Sequence, residues 1–194
     1  MIGKMQSGKT YTTNILLSTA PKSNVFILDS HNEYVSFPME NREFATRGQH
    51  TPTRINDFLK KAYTFSHRAV VIDDIDLYIK HDRESEQLAE FLIDSRHNEL
   101  AGILLAKRAA NLDLRIMQAS RYVFLFRGVI AKDIMKIAEH VQIEPNELLE
   151  AYIAKVAYIS DDEREHKIDT QHPFFIIDTL LKTVSYRTTL KLSK

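Results

Sequence analysis

Residues able to do chemistry stand at the head of the chain. Gly3, Gly8, Lys9 and Thr10 are spaced G-x-x-x-x-G-K-[ST] within MIGKMQSGKT. Two glycines at that interval let the backbone curl until successive N–H groups face inward. A helix opening at the same point aims its positive dipole end into the concavity. The group that fits such a cradle is a chain of phosphates. Lys9 is placed to reach the β and γ phosphates as a point charge, and the Thr10 hydroxyl to ligate Mg²⁺. Together with Lys4, Gln6 and Ser7 this loop is the expected nucleotide-binding segment, with ATP and Mg²⁺ as its ligands.

A second candidate group closes the run AVVIDD at 69–74. Four apolar residues bury a strand and deliver two acids at its carboxyl end. Asp73 is expected to hold the Mg²⁺ shell, and Asp74 to orient a water for attack on the γ phosphate. Asp74 is one methylene shorter than the glutamate usual in such ATPases, so Glu33 and Asp76 stand as substitutes. His31 lies near the expected nucleotide, where a structural hydrogen bond is the expected role.

These residues need a sheet to position them. Lys9 to Thr19 reads as the helix after the loop, ended by Ala20-Pro21 because proline disfavours helix in the residue before it. VFILD at 25–29 and AVVID at 69–73 read as buried strands, as do residues 103–106 and YVFLF at 122–126. Helices are expected over 54–63 with Thr53 as N-cap, over 84–97, around 112–119, over 129–141 and over 145–155. Residues 35–53 read as a loop or irregular insertion, 160–169 as a charged loop, and HPFFIID with TVSYRTTLKL as a closing pair of strands. Strands alternating with helices imply a mostly parallel sheet covered on both faces, with ligands at the carboxyl ends of its strands. The expectation is a three-layer α/β P-loop NTPase in one domain, with a nucleotide-binding core at 1–128 and helices and edge strands at 129–194. Only Met1 and Ile2 precede Gly3, where a P-loop normally follows a full strand. A misplaced start, a fragment or a very short strand would each account for that.

Composition narrows the functional class. Lys plus Arg and Asp plus Glu number 26 each, so the formal net charge is zero and any nucleic-acid contact must be local. No cysteine is present, which excludes a disulfide framework and a thiolate zinc site. Apolar runs such as AGILLA at 101–106 are too short to cross a bilayer, so no membrane insertion is expected. The apolar stretch near the N-terminus is likewise too short for a signal peptide.

DSHNEY at 29–34, VVIDDID at 70–76, SRHNELAGILLAKR at 95–108 and ASRYVFLFRG at 119–128 together resemble the HerA/FtsK superfamily of hexameric DNA-translocating ATPases. Small size, a short helical pair and closing strands look most like its viral genome-packaging members. The resemblance implies a RecA/FtsK-like fold, a homo-oligomeric, hexameric ring, double-stranded DNA as partner, capsid or membrane-vertex proteins as further partners, and a cytoplasmic setting, that of the host if viral. It also implies that Arg96 is an arginine finger offered to the neighbouring subunit. Lys107 stands where these motors usually carry a γ-phosphate-sensing glutamine. It could contact the phosphate as a cation but cannot accept a hydrogen bond from the attacking water. Arg127 is a second finger candidate. Tyr78, Lys80, His81 and Arg83 form a loop that could face DNA in a pore, and Lys182, Arg187, Lys191 and Lys194 a basic tail that more often blocks strand pairing. Three other functions compete: a HerA-type DNA helicase or translocase of a plasmid or cell, a nucleoside kinase, since GKMQSGKT also looks like the loop of thymidine kinases, and a nucleotide-dependent scaffold with poor turnover.

Overall fold

Val25–Asp29 (β1) is apolar up to its final acid, and all five residues are buried, as a strand covered on both faces requires. It lies between two parallel neighbours, Arg42–Phe44 (β2) and Ala69–Ile72 (β3), and Ala101–Leu104 (β4) follows beyond β3. The computed structural model of the protein describes residues 1–45, 48–64, 68–79, 86–95, 97, 99–112, 114–157 and 172–188. Within them a second sheet is antiparallel, with Tyr122–Phe126 (β5), Phe174–Asp178 (β6) and Thr183–Arg187 (β7) in that order.

Alternation along the strands sorts side chains onto two faces. Val25, Ile27, Val71 and Leu105 pack with Leu17 of the first helix, Lys9–Leu17 (α1), and with Tyr34 and Phe37. Phe26, Leu28, Val70 and Ile72 face the other way. There they meet Ile55, Phe58 and Leu59 of Pro52–Tyr63 (α2), Leu88 and Phe91 of Glu86–Asp94 (α3), and Ile134 and Ile137 of Ala131–Val141 (α5). Leu114–Ala119 (α4) and Pro145–Tyr152 (α6) join the same layer through Ile116, Met117 and Leu148. The result is the expected three-layer α/β arrangement.

The residue that joins the two sheets is Ile2, which bridges in parallel to Ala106 on one side and to Leu125 on the other. Its N–H donates to the Phe124 carbonyl at 2.8 Å, and its carbonyl accepts from Phe126 N–H at 2.8 Å. On the opposite edge, Ala106 N–H donates to the Met1 carbonyl at 2.8 Å and Gly3 N–H to the Ala106 carbonyl at 3.1 Å. The short stretch before the loop therefore does a strand's work, and Ile2 is buried.

Three expectations are corrected. The expected insertion at 35–53 contains β2, which three largely polar residues could not announce by an apolar pattern. Helix α2 starts two residues early: Thr51 is its N-cap, accepting from Arg54 N–H, with Pro52 at the first position where its fixed φ suits a helix. Tyr78 does not face outward from a pore loop but is buried at 1% exposure, its hydroxyl accepting from Ser30 Oγ at 3.1 Å. Lys80, His81 and Arg83, the charged loop at 160–169, and Lys191 and Lys194 lie outside the described residues.

Candidate functional site

The loop between Ile2 and α1 is shaped by close approach. Gly3 lies so near its surroundings that a Cβ would fall 2.6 Å from Phe126 Cβ and 2.8 Å from Ser7 Oγ. Gly8 takes φ 97°, a left-handed backbone that glycine adopts without penalty, and is the N-cap of α1 with no side-chain cap. No side-chain hydrogen bond from the N-cap occupies the first N–H groups of α1. Ser7 is buried, and its Oγ has no hydrogen-bond partner among the described residues. Lys4 and Gln6 complete the curve: Lys4 N–H donates to the Arg127 carbonyl at 3.1 Å, and the Gln6 carbonyl accepts from Arg127 Nη2 at 3.3 Å. Arg127, the second finger candidate, is therefore engaged on the loop of its own chain.

Lys9 folds over this cradle, its Nζ donating to the carbonyls of Gly3 at 2.6 Å and Lys4 at 2.9 Å. Burial draws the pKa of its ammonium down, while Asp74 and Asp73 act to hold it up. Both acids sit at the end of β3, 3% and 5% exposed. Burial, helped by the charges of Asp74 and Glu33, pushes the Asp73 carboxyl up to about 7. Among the described residues Asp73 Oδ2 and Asp74 Oδ1 have no hydrogen-bond partner, an arrangement that a cation relieves.

Asp74 holds a left-handed backbone at φ 48°, which Asp tolerates better than most residues. Its Oδ2 accepts from His31 Nε2 at 2.8 Å and from Lys107 Nζ at 2.7 Å. Lys107 arrives there because Asp76 ties down the turn after β4, accepting from the Lys107 and Arg108 N–H groups. Asp76 is thus committed to backbone, while Arg108 pairs with the buried Asp133 at 2.7 Å. Glu33, the other substitute acid, accepts from Thr10 Oγ1 at 2.7 Å, and a hydroxyl that donates keeps lone pairs for a cation. The turn carrying His31 and Glu33 is organised by Asp29. Its carboxylate accepts from the N–H groups of His31, Glu33 and Tyr34 and pairs with Arg42 Nη1 at 3.3 Å.

The structure thus brings Gly3, Lys4, Gln6, Ser7, Gly8, Lys9, Thr10, Asp73, Asp74 and Lys107 together. Arg96 lies outside the described residues. Sequence reading missed His172, whose ring lies against Gly8 and Tyr11. No local signal marks it, since His-Pro before an apolar strand carries no motif. Among the described residues there is no all-protein cluster of His, Asp and Glu that could cage a metal. A nucleotide-borne Mg²⁺ needs none, because it takes one or two protein groups together with phosphates and water. Thr10 Oγ1 and the unpartnered Asp73 oxygen fit that requirement.

A parallel sheet and a closing antiparallel sheet joined at a phosphate-type loop, with two acids at the end of β3, one strand removed from that join, define a P-loop NTPase fold. Solved structures with that fold match the chain over nearly its whole length. The genome-packaging NTPase B204 of Sulfolobus turreted icosahedral virus 2 in complex with ATP-gammaS superposes with a TM-score of 0.73 at 15% identity, covering 98% of this chain and 96% of that one. The same NTPase in complex with AMPPCP gives 0.65 at 20% identity, with the same coverage. The N-terminal domain of zonular occludens toxin from Neisseria meningitidis gives 0.52 at 12% identity, covering 98% and 93%. No protein-family model and no curated protein sequence matches the chain.

Proposed function

We propose that this protein hydrolyses ATP and couples the reaction to movement of double-stranded DNA, as the packaging motor of a viral genome. The observation that carries the hydrolytic part is the pair of buried acids, Asp73 and Asp74, each with an unpartnered oxygen beside Lys9 and the loop. The fold shared with the genome-packaging NTPase B204 supports the motor reading.

In this reading the loop N–H groups and Lys9 hold the phosphates, and Thr10 and Asp73 hold Mg²⁺. Held by those two residues, the ion would offset the charge of the phosphates. Asp74 accepts a proton from the water that attacks the γ phosphorus, the bond from that phosphorus to the β–γ bridging oxygen breaks, and ADP leaves with the electron pair. For Asp74 to face a water, its Oδ2 contacts to Lys107 and His31 must loosen or Oδ1 must do the work; Oδ1 is the oxygen without a partner. Lys107, moved to the γ phosphate, would then add a cation where related motors carry a glutamine. The chain acts as a single domain in a homo-oligomeric, hexameric ring, with Arg96 supplied across the subunit boundary.

One observation favours a second reading: the Lys107–Asp74 ion pair occupies the acid, as suits a nucleotide-dependent scaffold with slow turnover. Steady-state phosphate release with and without duplex DNA separates the two. The motor reading expects turnover that DNA stimulates and that Lys9→Ala abolishes; undiminished turnover in Lys9→Ala would sink it.

A further inference from the structure

A nucleoside triphosphate laid along the loop has two different ends. The γ end lies towards Lys9, whose charged neighbours are Asp74, Asp73, Lys107 and Asp76. The other end carries the base, tied to the α phosphate through a single ribose. Whatever surface the base rests on must therefore border the loop at the first turn of α1, away from those acids.

Two rings meet there. Tyr11 directly follows Thr10 and is 48% exposed, so core packing does not account for it. His172, from the residues leading into β6, lies against it with ring centroids 5.1 Å apart and planes at 57°. The imidazole also rests on the loop: a Cβ added to Gly8 would fall 2.3 Å from His172 Cγ. Glycine is thus needed at position 8 twice over, for its left-handed backbone and to admit this ring. Burial, helped by the charge of Arg127, lowers the pKa of His172 and favours the neutral imidazole. In the same loop the Ser7 hydroxyl is buried without a partner, a polar atom that a bound ligand would satisfy.

We propose that Tyr11 and His172 together form the surface against which the base of a bound nucleoside triphosphate rests, stacked on the face of one ring and met by the edge of the other. This rests on the nucleotide-binding reading above and goes beyond it, because it takes a residue from outside the loop, carried by the closing strands. The phosphate cradle would bind without His172; the base would not be held. Contact through ring faces is tolerant of base identity, since every base has a π face.

The test uses the full chain and two probes, the non-hydrolysable analogue AMPPNP and inorganic tripolyphosphate, which lacks a base. Tyr11→Ala and His172→Ala should each weaken AMPPNP about tenfold while leaving tripolyphosphate affinity as in the parent. A GTP analogue should lose by a similar factor, and Tyr11→Phe, which keeps the ring, should bind AMPPNP as the parent does. Tripolyphosphate binding also reports that each variant has kept its loop. The proposal is overturned if either alanine variant binds AMPPNP as tightly as the parent, or if either loses tripolyphosphate in the same proportion. A parent that binds neither probe would remove the nucleotide reading itself, and the base surface with it.

Discussion

Asp73 is where the site's electrostatics oppose its stability. Its carboxyl, near 3.8 in an unfolded chain, is pushed up to about 7 by burial and by neighbouring acids. The folded protein therefore holds this proton to higher pH than the unfolded one. The contribution to stability is fully present below about pH 4 and is lost as pH rises through 7. Asp73→Asn has no charge to desolvate, so its unfolding free energy from urea titration should exceed the parent's at pH 8, by on the order of 1–3 kcal/mol, and converge with it towards pH 4. Equal values at pH 8 would show that the carboxylate costs nothing there. Asp74→Asn should behave differently: nucleotide affinity stays near the parent's, and turnover falls by roughly 10² to 10⁴ in single-turnover phosphate release. The loop and both acids were legible in the sequence because phosphate chemistry demands fixed residue types at fixed intervals. The Lys107–Asp74 pair and the His172 contact were not, because each joins segments far apart in the chain that carry no shared pattern.

At the scale of elements, the turn at 30–34 depends on one buried carboxylate. Asp29 is fully buried and serves three N–H groups and Arg42, whose side chain is 8% exposed. Removing it leaves the three N–H groups without their acceptor and takes the carboxylate from Arg42, whose Nη1 keeps only its hydrogen bond to Asn32 Oδ1 at 2.9 Å. Asp29→Ala should cost about 3 kcal/mol in denaturant titration. It should also raise the KM for Mg·ATP, because His31 and Glu33 lose the turn that sets them against Asp74 and Thr10. A normal KM in a folded Asp29→Ala would detach the turn from the site. This dependence also explains why β2 escaped the sequence. Arg42 in a short polar stretch reads as loop, yet the strand pairs in parallel with β1 and its Arg42 meets the acid at the end of β1, neither of which leaves an apolar pattern. The strands β1, β3 and β5 were legible for the opposite reason, each being an apolar run bounded by polar residues. Helix α2 was found but its start was not, because Thr51 and Thr53 both satisfy the N-cap rule and only Pro52 decides between them.

At the scale of the whole molecule, the motor reading requires charge on the γ phosphate to be neutralised from outside the subunit. A trans arginine is worth about 10³ to 10⁵ in rate. Arg96→Ala should bind ATP and fold as the parent does but hydrolyse slowly, and mixing it with Lys9→Ala should restore part of the activity. In a mixed ring some interfaces combine an intact loop with an intact finger. If mass measurement shows mixed rings that remain inactive, Arg96 is not the finger. The neutral net charge adds a second requirement: duplex DNA should bind only to assembled rings, and binding should weaken steeply with salt. The two half-sheets carry a consequence of another kind. The backbone partners of Ile2 are Ala106 and residues 124–126, roughly a hundred positions along the chain, whereas β1, β3 and β4 pair with nearer neighbours. Loop-closure entropy is spent before such distant contacts repay it, so the join between the sheets closes late in refolding. The phosphate loop hangs from that join and becomes competent only afterwards. In a stopped-flow experiment, secondary structure should recover first and fluorescent-nucleotide binding in a slower phase; simultaneous recovery would show that the loop forms independently of the sheets it connects.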